Sequence, residues 1–330
     1  MFRVQHHTLS FRGAKGGPAA LRKPIEGLTL QRDEAAFTVL RGFDLGYDGG
    51  DHHLRHLAVH SRVSAPDAAG RAELSVDAGL RDASGNWDDA YSGTVDVDIV
   101  IAPATAVVLH SAIAVDAPAG TKGPKYVPDD VNNSWDMQTG ATAVFLSGFQ
   151  VGYTGGDHHL LRLHVAAHWQ LRHVGNQFLR LAHAMLGLRD ASGNWDDAYG
   201  GVVESTLVHM VAPAEVAQVG PNRAYVIDSK EDPLGTPPTS VGSGPQRPLE
   251  RVALPAARRG DPVVGLRAFA AGFGNGDHHF GQLVCRIESA TVTPDGKLET
   301  RWEQGLRDRS GNWDDPYWYA AAAEVLTLTG

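Results

Sequence analysis

The chain has 330 residues, 42% of them hydrophobic, with 38 Gly, 18 Pro and a formal net charge of -9 at pH 7. That length allows one large domain or two to three ordinary ones, the apolar content excludes a disordered chain, and the acidic balance excludes a general nucleic-acid binder. A single Cys excludes intrachain disulfides and Cys-rich zinc or iron–sulfur sites, whereas His is unusually frequent at 16.

The opening residues, Met1-Phe2-Arg3-Val4-Gln5, lack the apolar run of a secretory signal. The longest apolar stretches, near 101–109 and 318–323, are far short of a membrane span. The expected location is the cytoplasm, or outside the cell after export without a classical signal peptide.

One block recurs three times: RGFDLGYDGGDHHLRHLAVHSRV at 41–63, SGFQVGYTGGDHHLLRLHVAAHW at 147–169 and RAFAAGFGNGDHHFGQLVCRIES at 267–289. A second block follows each copy: GLRDASGNWDDAYSG at 79–93, GLRDASGNWDDAYGG at 187–201 and GLRDRSGNWDDPYWY at 305–319. The spacing of the copies suits small homologous domains and is too long for solenoid turns. The expected units are 1–102, 103–212 and 213–330. Unit 3 is the deviant, with Arg309 for Ala83 and Pro316 for Ala90.

Along each unit the elements read as strands. FRVQHHTLSF, ATAVVLHSAIAV and NRAYVI are the expected opening strands. Phe43, Leu45 and Tyr47 then alternate with period two, as do Phe149, Val151 and Tyr153, and Phe269, Ala271 and Phe273. Gly-rich turns follow, and a next strand with Leu57/Val59, Leu163/Val165 or Leu283/Cys285 inward. Cys285 is expected in the core. The third and fourth strands are RAELSVDAGL and TVDVDIVI with their counterparts; the alternation of TVDVDIVI suggests one solvent face. GNQFLRLAHAMLGL has helical propensity, but its matched positions favour a strand. The expected fold class is all-β: three tandem, homologous, small antiparallel sandwich-like units, with a compact barrel as the alternative. They would form a pseudo-threefold ring or a string.

Two motifs carry the chemistry. Asp51-His52-His53, with Asp157-His158-His159 and Asp277-His278-His279, sits at a turn-to-strand junction. Parity places His53, His159 and His279 inward, and His52, His158 and His278 outward toward a ligand or metal. The alternatives are a capping and hydrogen-bonding role within the fold, with Asp51 capping the turn, and a role at the contact between units.

The second motif is an oxygen-rich loop that ends in an Asp doublet, Asp88-Asp89, Asp196-Asp197 or Asp314-Asp315. Its candidate metal ligands are Asp82, Ser84, Asn86 and Asp88; Asp190, Ser192, Asn194 and Asp196; and Asp308, Ser310, Asn312 and Asp314. Alternating oxygen donors around a Gly suit calcium, although the helices and the final Glu of an EF-hand are missing. The same residues also build tight turns with no ion, and Arg81, Arg189 or Arg307 would offset the second Asp of each doublet. Trp87 and Tyr91, Trp195 and Tyr199, and Trp313 and Tyr317 are candidate ligand contacts, since an aromatic beside carboxylates and amides suits a pyranose. The competing reading has each Trp plug the end of its sandwich.

No nucleophile elbow, zincin motif, phosphate loop or dinucleotide fingerprint occurs. The favoured function is a non-enzymatic, multivalent, lectin-like binding protein whose repeated loops contact a carbohydrate or calcium. The first alternative is a structural or assembly protein of a larger particle, phage-tail-like or shell-like, with contacts carried by 120–140 and 228–250. The second is a metal-dependent hydrolase using His52 with Asp82 or Asp88. The expected partners are a glycan or an assembly protein, with an oligomer among the options and neither nucleic acid nor a membrane span.

Overall fold

The computed structural model describes residues 1–330 apart from 51, 85, 122, 130–134, 137–139, 157, 175–176, 193–194, 228–243 and 275–277. Unit 1 supplies β1 (Arg3–Ala14), β2 (Ala19–Ile25), β3 (Ala35–Tyr47), β4 (Leu54–Val63), β5 (Ala72–Asp82) and β6 (Tyr91–Ala102). Unit 2 supplies β7 (Ala106–Ala117), β8 (Lys125–Pro128), β9 (Trp135–Asp136), β10 (Ala141–Tyr153), β11 (Leu160–Val174), β12 (Gln177–Asp190) and β13 (Tyr199–Met210). Unit 3 supplies β14 (Ala214–Val219), the short α1 (Ala224–Ile227), β15 (Leu249–Ala253), β16 (Arg258–Phe273), β17 (Phe280–Val292), β18 (Lys297–Asp308) and β19 (Tyr317–Thr329).

The fold is essentially all-β, built as three homologous units, yet among the described residues no sheet belongs to one unit alone. The sheet orders are β1-β6-β3-β17-β18-β15, β2-β5-β4-β10-β13-β7 and β14-β19-β16-β11-β12-β8, with β9 also on β12. Each takes three strands from one unit and at least three from the next. The joints are β4 on β10, β11 on β16 and β17 on β3, all antiparallel. The last joint returns unit 3 to unit 1, so the three sandwiches form a closed pseudo-threefold ring and not a string. Closure also removes the sheet edges that separate units would expose. Gly42 permits one such approach: a Cβ there would lie 2.2 Å from the Arg286 Cα.

The ring has one main hydrophobic core with residues from all three units. The period-two positions meet at its centre: the rings of Phe43, Phe149 and Phe269 lie 5.2, 5.1 and 5.0 Å apart, pair by pair. A second cluster beneath includes Phe37, Val39, Phe145 and Val263. Equivalent positions there are unequal in size. A Cβ on Gly265 would come 1.8 Å from Val39 Cγ1 and 3.1 Å from Phe145 Cδ1, so Gly, Val and Phe share one volume.

The segment GNQFLRLAHAMLGL is strand β12, because cross-strand pairing with β11 outweighs its helical propensity. Two expectations are corrected. TVDVDIVI, in β6, has no solvent face: Asp96 and Asp98 are buried along with the valines. Both are partnered: Thr8 Oγ1 donates to Asp96 at 2.5 Å, and His6 Nδ1 lies 2.8 Å from Asp98. NRAYVI is not a strand but a turn and α1. Asn222 at φ 52° reverses the chain there, and the opening strand of unit 3 is instead β14. No described helix is long and apolar enough to cross a membrane.

Candidate functional site

The turns after β3, β10 and β16 lie at the same end of the ring as the loops after β5, β12 and β18. At this end each unit brings one His and two Asp together: His52 with Asp82 and Asp89, His158 with Asp190 and Asp197, and His278 with Asp308 and Asp315. These clusters are able to coordinate a metal ion. One ligand atom from each residue lies within 4.8 Å of the others.

The first histidine of each pair is therefore not outward. His52 is 5% exposed, and its ring stacks on Tyr47 at 4.0 Å. His158 and His278 stack in the same way on Tyr153 and Phe273, each at 4.4 Å. Parity failed because both histidines precede β4, in a turn where strand alternation does not apply.

Hydrogen bonding fixes the tautomer. Gly49 O only accepts, so the His52 Nε2–H donates to it at 2.6 Å. His158 does the same to Gly155 O at 2.7 Å. In a neutral ring Nδ1 is then a bare lone pair. His52 Nδ1 faces Asp89 Oδ2 at 3.4 Å and Asp82 Oδ2 at 3.6 Å, beyond a well-formed hydrogen bond, and is buried without a hydrogen-bond partner. In unit 2 the distances are 3.3 Å to Asp197 and 3.6 Å to Asp190, and in unit 3 His278 lies 3.6 Å from Asp315. An imidazole held through its far N–H by a backbone carbonyl, with its lone pair aimed between carboxylates, is the arrangement of a metal-ligating His.

The two carboxylates differ. Burial works against ionising Asp82, but the Ser84 hydroxyl and amide, and then His52 when its Nδ1 also carries a proton, outweigh it, holding its pKa below the ordinary value. Burial raises the pKa of Asp89; a doubly protonated His52 ring opposes this, while Asp82 and Asp88 add to it. Asp190 is lowered and Asp197 raised for the corresponding reasons.

The expected metal ligands divide. Asp82, Asp190 and Asp308 belong to the clusters. Ser84 does not: its Oγ donates to Asp82 Oδ1 at 2.6 Å and accepts the Asn86 N–H at 3.2 Å, closing the loop as a turn. Ser310 likewise accepts from Asn312 N, and Ser192 Oγ donates to Asp196. Asn86, Asn312, Asp88, Asp196 and Asp314 are exposed and stand outside the clusters. The doublet's second member, not its first, turns inward. Asn194 and the turn residues Asp51, Asp157 and Asp277 lie outside the described residues.

The aromatics divide too. Tyr91, Tyr199 and Tyr317 are fully buried, so they present nothing to a ligand. The Tyr91 hydroxyl donates to Gly17 O at 2.7 Å and accepts from Ala19 N at 2.9 Å, tying β2 to the core. Trp87, Trp195 and Trp313 are half-buried against the core. Arg81, Arg189 and Arg307 lie over them at 5.6, 6.0 and 5.6 Å. This packing matches the plug reading while leaving part of each indole at the surface.

Sequence reading missed Asp89, Asp197 and Asp315 as His partners, and Tyr47 as the stacking platform. Each was visible as a repeated residue, but which of two adjacent carboxylates turns inward depends on loop geometry. The hydrolase pair His52 and Asp82 does meet; Asp88 stays outside. Cys285 is buried, and burial pushes its thiol up to about 12, well away from a nucleophile's range. A cleft of ≈ 330 Å³ where units 1 and 2 join, lined by Thr38, Ser61, Ser147 and Glu204 among others, contains none of the repeated loop residues. No family model matches the chain, and a search of curated proteins finds no match.

Proposed function

We propose that the protein is a non-enzymatic, three-site binding protein. Each loop-end cluster holds a divalent cation, and the exposed Asn and Asp groups around it, with the open edge of each half-buried Trp, engage a hydroxyl-rich ligand such as a carbohydrate. One observation carries the reading: exposed polar residues of the loops recur from unit to unit. Asn86 and Asp88 recur as Asn312 and Asp314 although packing asks nothing of an exposed side chain, whereas buried Val39, Phe145 and Gly265 have diverged.

The donor chemistry refines the cation. An imidazole with two carboxylates suits a borderline ion such as Zn²⁺ better than calcium, which takes oxygen donors. Three equivalent sites on one face also suit multivalent capture, in which the second and third contacts act at high effective concentration.

Glycan-array binding with and without EDTA tests the reading. Defined hits that disappear in EDTA, and in a chain carrying Asp88→Ala, Asp196→Ala and Asp314→Ala, are expected. Absence of hits for the metal-loaded protein, or hits indifferent to both treatments, would refute it.

A further inference from the structure

The second histidine of each pair forms a different constellation. His53, His159 and His279 immediately precede β4, β11 and β17, and each is followed by a buried residue, Leu54, Leu160 or Phe280, that anchors the strand start. Closure of the ring brings the three side chains together on the pseudo-threefold axis. Their centroids are 3.9 Å apart for His53 and His159, and 4.3 Å for each pair with His279. One ring nitrogen from each lies within 4.8 Å of the others.

We propose that His53, His159 and His279 form one axial site for a borderline divalent metal such as Zn²⁺, distinct from the three peripheral clusters and shared equally by the three units. The geometry is that of a ligand set. His53 Nε2 and His279 Nε2 are 3.4 Å apart, long for a hydrogen bond between rings. Two nitrogens on a tetrahedral ion with bonds of about 2.0–2.1 Å are separated by about 3.4 Å. Three protonated rings at this spacing would repel one another, while a bound cation turns the same crowding into coordination. All three donors are imidazoles, which selects Zn²⁺, Co²⁺ or Ni²⁺ over magnesium or calcium. The rings are half-exposed, so a fourth position faces water.

Such a site also acts as a clasp. Each ligand comes from a different unit, so the ion links all three joints of the ring and favours the closed form by mass action.

Cobalt tests this on the full chain without a histidine tag, stripped of metal and titrated with Co²⁺. In a chain with His52, His158 and His278 all changed to Ala, the expected result is one four-coordinate ion per chain, seen as an intense visible d–d band. Any one of His53→Gln, His159→Gln or His279→Gln should weaken it by roughly tenfold or more. Melting midpoints in EDTA equal to that of the parent identify such losses as ligand losses. A second readout needs no axial substitution: X-ray absorption of the peripheral triple variant with one equivalent of Zn²⁺ should show three imidazole nitrogens. No four-coordinate band, a band that survives all three axial changes, or a zinc shell dominated by carboxylate oxygen would overturn the proposal. Glycan binding by the loops is read separately, so either proposal can fail alone.

Discussion

The loop end of the ring and its far interior are built on the same threefold plan but use it in opposite ways. At the loop end each unit repeats one chemistry: an aromatic under a histidine, two aspartates beside it, and a half-buried tryptophan under an arginine. In the interior, equivalent positions carry Val39, Phe145 and Gly265, whose sizes compensate one another. The joints between units differ as well. His60 pairs with Glu204 at 3.1 Å where unit 1 meets unit 2, whereas Ala166 and Ala322 share an apolar cluster where unit 2 meets unit 3. A single chain permits this drift, because only total volume and polarity must balance inside. The loops drifted less, Arg309 for Ala83 and Pro316 for Ala90 apart, although much of their surface is free to change, and that is why the proposed function is placed at their end.

Breaking the central phenylalanines should have the largest effect. Phe149→Ala removes a ring with no exposure that touches both of its equivalents, and should cost about 3–5 kcal/mol in urea denaturation. Next comes the size compensation. Gly265→Val alone should destabilise by about 1–3 kcal/mol through overpacking. Adding Val39→Gly should restore much of that loss, and additive costs in this double-mutant cycle would contradict the shared volume. Tyr91→Phe, which strips a buried hydroxyl from Gly17 O and Ala19 N, should cost about 1–3 kcal/mol and leave binding at the loops intact.

The interior also predicts an acid response. Burial lowers the pKa of His164 to about 3, so the folded chain keeps it neutral while the unfolded chain takes up a proton below its ordinary 6.5. Its contribution to stability is complete above pH 6.5 and is lost as pH falls toward 3. His164→Leu should reduce the slope of stability against pH by close to about one proton in that window, measured by denaturation at several pH values. The smallest stability effect belongs to the loop surface: Asp88→Ala should stay within about 0.5 kcal/mol of the parent while binding is lost.

Much of the fold was legible because the repeats fix the units and the period-two pattern fixes which faces are buried. Phe43, Phe149 and Phe269 were readable as core for that reason. What remained hidden was non-local. Nothing in a strand's own residues says that β4 pairs with β10 of the next unit and not with a partner in its own, so sharing of the sheets was invisible. The solvent face expected for β6 vanished for the same reason: Arg41 and Arg286, from β3 and β17, lie 3.6 Å from Asp98 and 3.9 Å from Asp96. At the site, residue types were legible and directions were not. His52 and His53 are adjacent in a turn, and only ring closure separates a peripheral role from an axial one.

Counting bound ions by native mass spectrometry puts the three-site claim most directly at risk. In a chain carrying His53→Gln, His159→Gln and His279→Gln together to remove the axial site, Zn²⁺ should saturate at three ions, falling to two, one and none as His52, His158 and His278 are changed to Ala in turn. A count that never reaches three, or that does not change with these substitutions, would contradict the account.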